Sequence, residues 1–150
     1  KKIFGDSIEL YQIALSDSNG EAKLFHNGAS GLSSLYNDDA VGTSEKVPTE
    51  TIDSLCKRLS IGRIDLLKLD VEGNELVCLR GAQKMLPYIK NIQFEMSIRS
   101  RDARVYFKDI FEYLHDYRIY RILKDNLLEI KSSDRLSEML FTTNYLAIRK

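Results

Sequence analysis

The feature that most constrains the fold is a short apolar run at residues 64–69 (IDLLKL), which has a helix pattern on each side. A nearly continuous apolar run is typical of a parallel strand that is covered on both faces. After an opening hairpin, strand patterns alternate with helix patterns along most of the chain, which indicates an α/β domain with a largely parallel sheet. The 150 residues suffice for a single domain with one core.

Hydrophobic periodicity assigns the individual elements. The predicted strands are residues 8–15, 21–25, 64–69, 91–96, 118–123, 127–130 and 144–148, with the first two forming a hairpin. The predicted helices are residues 51–60 with Thr49 as the cap, 81–89, 101–117 and 133–140. Residues 27–46 are polar and rich in glycine and serine, so they are expected to form a long loop.

Composition narrows the class of protein. The chain has 22 basic and 22 acidic residues, and its zero net charge argues against a nucleic-acid binder held by a general electrostatic field. No apolar run approaches the roughly 20 residues that span a bilayer, and no signal peptide opens the sequence. Cys56 and Cys78 have no metal-site spacing, so they are expected to be reduced core residues of a cytoplasmic chain.

Acidic residues follow the apolar strand directly. Asp70, Glu72 and Glu75 come after residues 64–69, and Glu95 lies near the end of the next predicted strand. Because ligands bind outside the carboxyl ends of parallel strands, Asp70 and Glu95 are expected to meet at one ligand-binding edge. Such carboxylates can act as a general base, bind substrate hydroxyls or hold a divalent cation, and their mutual repulsion raises the pKa of at least one.

A purely structural role is the alternative for some of these residues. Glu72 and Glu75 precede a helix, where carboxylates are favoured by the helix dipole and cap its amides. Lys68 is unusual in a buried strand, so it is expected to extend to the sheet edge or to pair with one of the acids. Gly73 is expected to supply a backbone conformation that other residues resist, or room for a close approach.

Residues 47–82 closely resemble the signature of the FkbM-type methyltransferases, in which a "vpt-t-lD-l" helix precedes "idllKiDvEG-E" and "vLrGa". Flanking segments at residues 13–25, 91–97 and 142–150 also resemble that family, so the resemblance covers essentially the whole chain. The matching residues in the signature are Pro48, Thr49, Asp53, Asp65, Lys68, Asp70, Glu72, Gly73, Glu75, Leu79, Arg80, Gly81 and Ala82.

The resemblance implies an S-adenosylmethionine-dependent methyltransferase on a Rossmann-like class I sheet, which methylates a hydroxyl of a sugar or natural product. Asp70 is then the first candidate for substrate binding or general base, followed by Glu72 and Glu95, and no resident metal is expected. Residues assigned to the small-molecule or glycan acceptor are Lys68, Glu75, Ser33 and Ser34. Residues assigned to the cofactor's adenine are Ala14, Leu15, Ser16 and Asp17.

One part of the family pattern is not found in this sequence. The glycine-rich cofactor turn and the acidic strand that grips the ribose are expected upstream, so the sheet is expected to lack its first two strands. The strand at residues 64–69 then exposes an edge that could pair with a second copy of the chain. The chain alone is therefore expected to bind S-adenosylmethionine weakly or not at all, with any activity belonging to a longer protein.

Two other functions remain open at this point. A non-catalytic α/β module that has lost its cofactor site and binds a partner or a sugar would explain the absent glycine-rich turn. A metal-dependent hydrolase would use Asp70, Glu72 and Glu95 as oxygen ligands. No sequence feature distinguishes a sugar acceptor from a lipid or a polyketide.

Overall fold

The computed structural model describes residues 8–27, 32–34, 43–133 and 142–150, which form two β-sheets and four short helices. The strands are β1 (Ala14–Leu15), β2 (Gly20–Asn27), β3 (Leu32–Ser34), β4 (Thr43–Glu50), β5 (Leu67–Leu69), β6 (Asn91–Met96), β7 (Tyr117–Ile122), β8 (Leu127–Ile130) and β9 (Thr143–Arg149). The helices are α1 (Ile52–Arg58), α2 (Glu75–Arg80), α3 (Ile98–Asp102) and α4 (Phe107–Tyr113).

The smaller sheet has the strand order β1-β4-β2-β3. β1 runs parallel to β4, whereas β2 is antiparallel to both β3 and β4. The predicted hairpin between residues 8–15 and 21–25 is therefore wrong, because β4 lies between them. The loop predicted at residues 27–46 is also partly wrong, since β4 begins in this range and pairs with β2 from Gly20 to His26. The sequence does not indicate this strand because most of its first residues are polar and exposed.

The larger sheet has the strand order β5-β6-β9-β7-β8. Within it only β5 and β6 are parallel neighbours, because β9 enters between β6 and β7 in the opposite direction. A short turn at residues 123–126 also forces β8 to be antiparallel to β7. The predicted mostly parallel sheet is thus wrong, and the observed architecture is a mixed α/β fold.

The apolar strand at residues 64–69 is shorter and less covered than its sequence indicates. Only residues 67–69 form β5, and Ile64 makes an isolated bridge to Ile89. Leu66 is 55% exposed, while Leu69 is buried. Among the described residues β5 is an edge strand of the larger sheet, so the expected exposed edge is present.

Helix α1 confirms the helix predicted at residues 51–60, although its cap differs from the prediction. The Thr51 side chain, rather than that of Thr49, accepts a hydrogen bond from the Ser54 amide at 3.0 Å. Ile52 and Cys56 lie one turn apart and are both buried. Cys78 in α2 is also buried and free, which confirms the expected core positions of both cysteines.

The helix predicted at residues 81–89 is wrong. The chain forms a series of turns there and ends in a 3-10 turn at Leu86–Tyr88. Asp53 explains part of this difference, since its carboxylate accepts the amides of Lys84 and Met85 at 2.9 Å each. Pro87 has no amide to donate to a helical carbonyl. Asp53 therefore joins the start of α1 to the turns that follow α2.

Replacing Asp53 with alanine is expected to lower the free energy of unfolding by about 1–3 kcal/mol, because two amides lose their acceptor. Urea denaturation measures the loss. Asp65→Ala is the matched control, since the Asp65 side chain is 72% exposed and pairs only with the exposed Arg63. Equal stability of the two variants would contradict the structural role of Asp53.

The helix predicted at residues 101–117 is partly wrong: α4 lies within this range, whereas residues 101–102 form the end of α3. Arg104 has a φ of 57°, which interrupts the helical path after α3. Asp109 accepts a hydrogen bond from the Tyr106 amide at 2.8 Å and so begins α4. The helix predicted at residues 133–140 lies almost entirely outside the described residues.

The core lies between one face of the larger sheet and the helices α2 and α4. Alternation along β6 places Ile92, Phe94 and Met96 on this face, and all three are buried. Tyr145 stacks on Phe94 with ring centroids 5.3 Å apart and contacts Phe107 at 4.6 Å. The opposite face of the same strands carries polar side chains, and it leads to the site described below.

Candidate functional site

Asp70 and Glu95 lie at the same edge of the larger sheet, as the sequence predicts. The parallel register pairs Leu69 of β5 with Phe94 of β6, so the next residue of each strand is Asp70 and Glu95. Burial raises the pKa of Glu95, and the negative charges of Asp70 and Glu72 raise it further. Lys68 and a side-chain hydrogen bond from Asn144 act in the opposite direction. The predicted mutual influence of these carboxylates is therefore present.

The acidic turn that follows β5 has an unusual backbone conformation. Glu72 has a φ of 51° and Gly73 a φ of 99°. A side chain at position 73 would also place its Cβ 2.8 Å from the Arg99 carbonyl oxygen. Gly73 therefore supplies both the conformation and the space that the sequence indicates.

Two of the acids form ion pairs with different partners. The Lys68 ammonium lies 2.7 Å from Asp70, so the second of the two alternatives expected for this lysine, pairing with an acid, is the one observed. The guanidinium Nε of Arg99 lies 3.4 Å from Glu72 in a mostly buried contact. Asp70 is about half exposed, whereas Glu72 is largely covered, so Asp70 is the carboxylate more accessible to a ligand.

Glu75 is only 1% exposed. Its Oε1 accepts the amides of Val71 at 3.3 Å and Gly73 at 3.4 Å, which holds the acidic turn closed. Its Oε2 is buried and has no hydrogen-bond partner among the described residues. Burial raises the pKa of Glu75, and the charge of Glu95 adds to the shift. The structure thus places Glu75 beneath the turn rather than on the surface of the site.

The raised pKa values of Glu75 and Glu95 predict how stability depends on pH. A carboxyl whose pKa is higher in the folded state contributes stability below its ordinary pKa, near 4.5, and this contribution is lost as the pH rises through the raised value. Glu75→Gln, which cannot ionise, is therefore expected to gain stability relative to the original chain as the pH rises from 4 to 7. Urea titrations across this range measure the difference, and a constant difference would contradict the assignment.

A cavity of about 420 Å³ lies between β1 and the acidic turn, and we call it the turn cavity. Its wall includes Ala14 and Leu15 on one side and Asp70 and Glu72 on the other. Its size is within the range of small-molecule pockets. The structure thus brings two residues assigned to the cofactor together with two assigned to catalysis. The lining residues are Tyr11, Gln12, Ile13, Ala14, Leu15, Leu24, Glu45, Val47, Asp70, Val71, Glu72 and Asn74.

The segment that contains β1 is held against α2 at two points. The thiol of Cys78 donates a hydrogen bond to the Leu15 carbonyl oxygen at 3.4 Å. Burial raises the pKa of Cys78 to about 12, so this thiol stays protonated. At the end of α2, a Cβ on Gly81 would lie only 2.0 Å from the Ser16 carbonyl oxygen. These contacts set the position of one wall of the turn cavity.

A second, open depression of about 630 Å³ follows the edge of the larger sheet, and we call it the polar groove. Carboxamides of Gln93 and Asn144 line it between the acids and the neighbouring strands, with Nε2 of Gln93 3.5 Å from Oδ1 of Asn144. Asp70 lines both the polar groove and the turn cavity. The lining residues are Lys68, Asp70, Gln93, Glu95, Arg121, Ile122, Leu123, Thr142, Thr143 and Asn144.

Other residues assigned from the sequence lie elsewhere. Ser16 and Asp17 follow β1 and do not line the turn cavity. Ser33 and Ser34 belong to β3, which is separated from β1 by two strands, so they are not in a loop. Ser30, in the same predicted loop, lies outside the described residues.

The groove carboxamides and the apolar lining of the turn cavity are not among the residues predicted from the sequence. A signal for Gln93 was present, because polar residues alternate with buried ones along β6. Asn144 lies in the groove because it pairs with Glu95, and this could be predicted only if the position of β9 in the sheet were known. Leu24 and Val47 are placed by the smaller sheet, whose strand order the sequence does not reveal.

Two further observations concern the part of the chain that the structure describes. Among these residues, no set of three or more histidine, cysteine, aspartate or glutamate side chains is grouped so that it could hold a metal ion. No described helix combines the length and the apolar character required to cross a bilayer.

Comparison with known proteins identifies the family. A model of the methyltransferase FkbM domain matches residues 4–121, which is more than half of the chain. No significant match was found among curated proteins or among solved structures. The matched range includes β1, the acidic turn and the two strands that carry Asp70 and Glu95. The chain therefore belongs to the FkbM methyltransferase domain family.

Proposed function

We propose that this domain is an S-adenosylmethionine-dependent O-methyltransferase that acts on a hydroxyl of a small polar molecule, such as a sugar. The observation that carries this proposal is the position of Asp70. Its side chain lines the turn cavity on one side and the polar groove on the other. Ligands bound on these two sides would both lie near Asp70, which is a half-exposed carboxylate.

The turn cavity fits part of the methyl donor. Leu15, Leu24 and Val47 provide apolar surface for a flat ring system, whereas Asp70 and Glu72 provide acceptors for polar groups at the opposite end. Ala14 and Leu15 are the residues that would hold the adenine end, with Ser16 and Asp17 next to them along the chain. The donor, when bound, supplies an electrophilic methyl group on a sulfonium.

Asp70 is assigned the role of general base. An acceptor hydroxyl in the polar groove has to lose its proton as it attacks, and Asp70 can accept that proton in hydrogen-bonding range. Lys68 lies 2.7 Å from Asp70 and holds its carboxylate in place. Glu95 has a raised pKa, so it contributes a second carboxyl that can hold or release a proton nearer neutral pH.

Glu72 and Glu75 are assigned to the shape of the site. Glu72 pairs with Arg99, and Glu75 accepts two amides of the turn, so both keep Asp70 at the end of β5. This positioning role replaces the direct substrate contact expected for Glu75 from the sequence.

The polar groove supports a polyhydroxylated acceptor. Carboxamides both donate and accept hydrogen bonds, as hydroxyl groups do, and Gln93 and Asn144 lie beside Asp70 and Glu95. A site built from such groups discriminates strongly against analogues that lack the hydroxyls. The roles of Ser33 and Ser34 toward the acceptor stay part of the proposal.

The assay that tests the proposal follows labelled methyl groups from S-adenosylmethionine to a panel of sugars and cyclitols. It is run on the 150-residue chain and on a chain extended upstream, because the family's glycine-rich cofactor turn is not found in this sequence. Label in a methyl ether that disappears with Asp70→Asn supports the proposal. Label on nitrogen or carbon, or none with either chain, would contradict it.

The free edge of β5 supports pairing with a second copy of the chain, as the sequence predicts. If the unchanged chain sediments as a dimer and Lys68→Pro sediments as a monomer, this arrangement is supported. Sedimentation of the unchanged chain as a monomer would contradict it. Free buried cysteines support a reducing compartment, which is consistent with the proposed cytoplasmic location.

A further inference from the structure

A cleft of about 440 Å³ lies at the end of the larger sheet opposite to Asp70 and Glu95. It is formed where β6 begins and β9 ends, since Asn91 pairs with Ile148 at that position. Four of its lining residues have cationic side chains, and the lining includes no aspartate or glutamate. We call it the basic cleft and define it by Arg63, Tyr88, Lys90, Arg149 and Lys150.

Arg149 is held in a fixed orientation at the base of this cleft. One guanidinium nitrogen donates a hydrogen bond to the Leu86 carbonyl oxygen at 3.1 Å, and the guanidinium lies 5.7 Å from the ring centroid of Tyr117. The Tyr117 hydroxyl is fixed in turn, because its single hydrogen is donated between the carbonyl oxygens of Leu86 at 2.8 Å and Ile89 at 2.9 Å. An arginine fixed in this way loses little conformational entropy when it binds an anion.

The positive charge of the cleft is weakly compensated. Among the described residues, no carboxylate lies within ion-pair distance of Lys90 or Arg149. Arg63 lies 3.2 Å from Asp65, but both side chains are more than 70% exposed, so this pair is weak. Since the whole chain has zero net charge, the cleft is a local positive region at the opposite end from the acidic turn.

We propose that the basic cleft binds a diphosphate group, free or esterified. Arginine offers parallel N–H groups and lysine a point charge, and phosphate oxygens satisfy both kinds of donor. A diphosphate carries several negative charges and a carboxylate ligand only one, so a cleft with several cations matches the diphosphate better. Tyr88 is 58% exposed at the rim and offers a flat face to a ring attached to the diphosphate. This site is separate from the proposed methyl transfer and does not depend on it.

Calorimetric titration of the 150-residue chain with inorganic pyrophosphate at low ionic strength tests the proposal, because salt screens exposed charges. The double substitution Arg63→Gln with Lys90→Gln is expected to weaken binding by about tenfold or more. Both residues are exposed, so the fold is expected to be retained. Lys124→Gln is the matched control, since this exposed lysine lies in the turn between β7 and β8. The affinity of this variant for pyrophosphate is expected to equal that of the unchanged chain.

The source of the diphosphate is distinguished by a second titration with adenosine diphosphate. Tighter binding that is lost in Tyr88→Ala assigns the esterified form, and equal affinity assigns the free form. The proposal is overturned by an absence of binding at millimolar pyrophosphate, by binding that the double substitution leaves intact, or by equal affinity for sulfate. None of these outcomes affects S-adenosylhomocysteine binding, so this proposal and the proposed function fail independently.

Discussion

Replacing Gly81 with alanine is expected to destabilise the chain by about 3 kcal/mol and to displace the segment that contains β1. The added Cβ would lie 2.0 Å from the Ser16 carbonyl oxygen and 3.3 Å from that of Cys78. Both contacts are with backbone atoms, so no side-chain rotation can relieve them. The same shift would move Leu15 away from the thiol of Cys78 and change one wall of the turn cavity.

Gly62→Ala is the matched control for this substitution. A Cβ at position 62 would meet no atom within 4 Å, so its effect is expected to stay within about 0.5 kcal/mol. Urea denaturation gives the stability difference, and backbone amide shifts of residues 14–16 report the displacement. Equal stability of the two variants, with unchanged shifts in this segment, would show that α2 and β1 are not packed as described.

Replacing Asp70 with asparagine is expected to lower the rate of methyl transfer by about 100- to 10,000-fold, because the amide cannot accept the hydroxyl proton. Donor binding is expected to change little, since asparagine preserves the size of the side chain. The substitution also removes a negative charge that raises the pKa of Glu95. The pKa of Glu95, followed by carbon NMR, is therefore expected to fall in this variant whether or not turnover is detected.

Asp65→Asn is the control for Asp70→Asn, because Asp65 lies in the same sequence motif but its side chain is 72% exposed and pairs with Arg63. Its transfer rate is expected to match that of the unchanged protein. Full activity of Asp70→Asn would rule out the general-base role. An unchanged pKa of Glu95 would show that the two carboxyls are not neighbours across β5 and β6.

The acidic site could be predicted because its information is local. Asp70 directly follows one predicted strand and Glu95 lies near the end of the next, and one parallel pairing brings them together. A glycine in a short turn directly after a strand indicates a backbone conformation that other residues resist, and Gly73 has a φ of 99°. The family resemblance then supplies the chemistry, and the match to residues 4–121 confirms the family.

The remaining parts of the fold depend on long-range pairing. The insertion of β9 between β6 and β7 involves residues about 50 positions apart, and no local pattern reports it. The turns at residues 81–88 depend on Asp53, which binds amides more than 30 residues away. In each case a tertiary hydrogen bond or a strand partner overrides the local propensity.

We expect the methyl donor to bind in the turn cavity, next to Asp70. Titration of isotopically labelled chain with S-adenosylhomocysteine, followed by amide chemical shifts, tests this most directly. We expect weak but measurable binding, with a Kd no higher than about 1 mM. The amide shifts of Ala14, Leu15 and Val71 are expected to change, and to change less in Gly81→Ala. An absence of shift changes at millimolar ligand, or changes confined to residues outside the turn cavity, would show that the donor does not bind there.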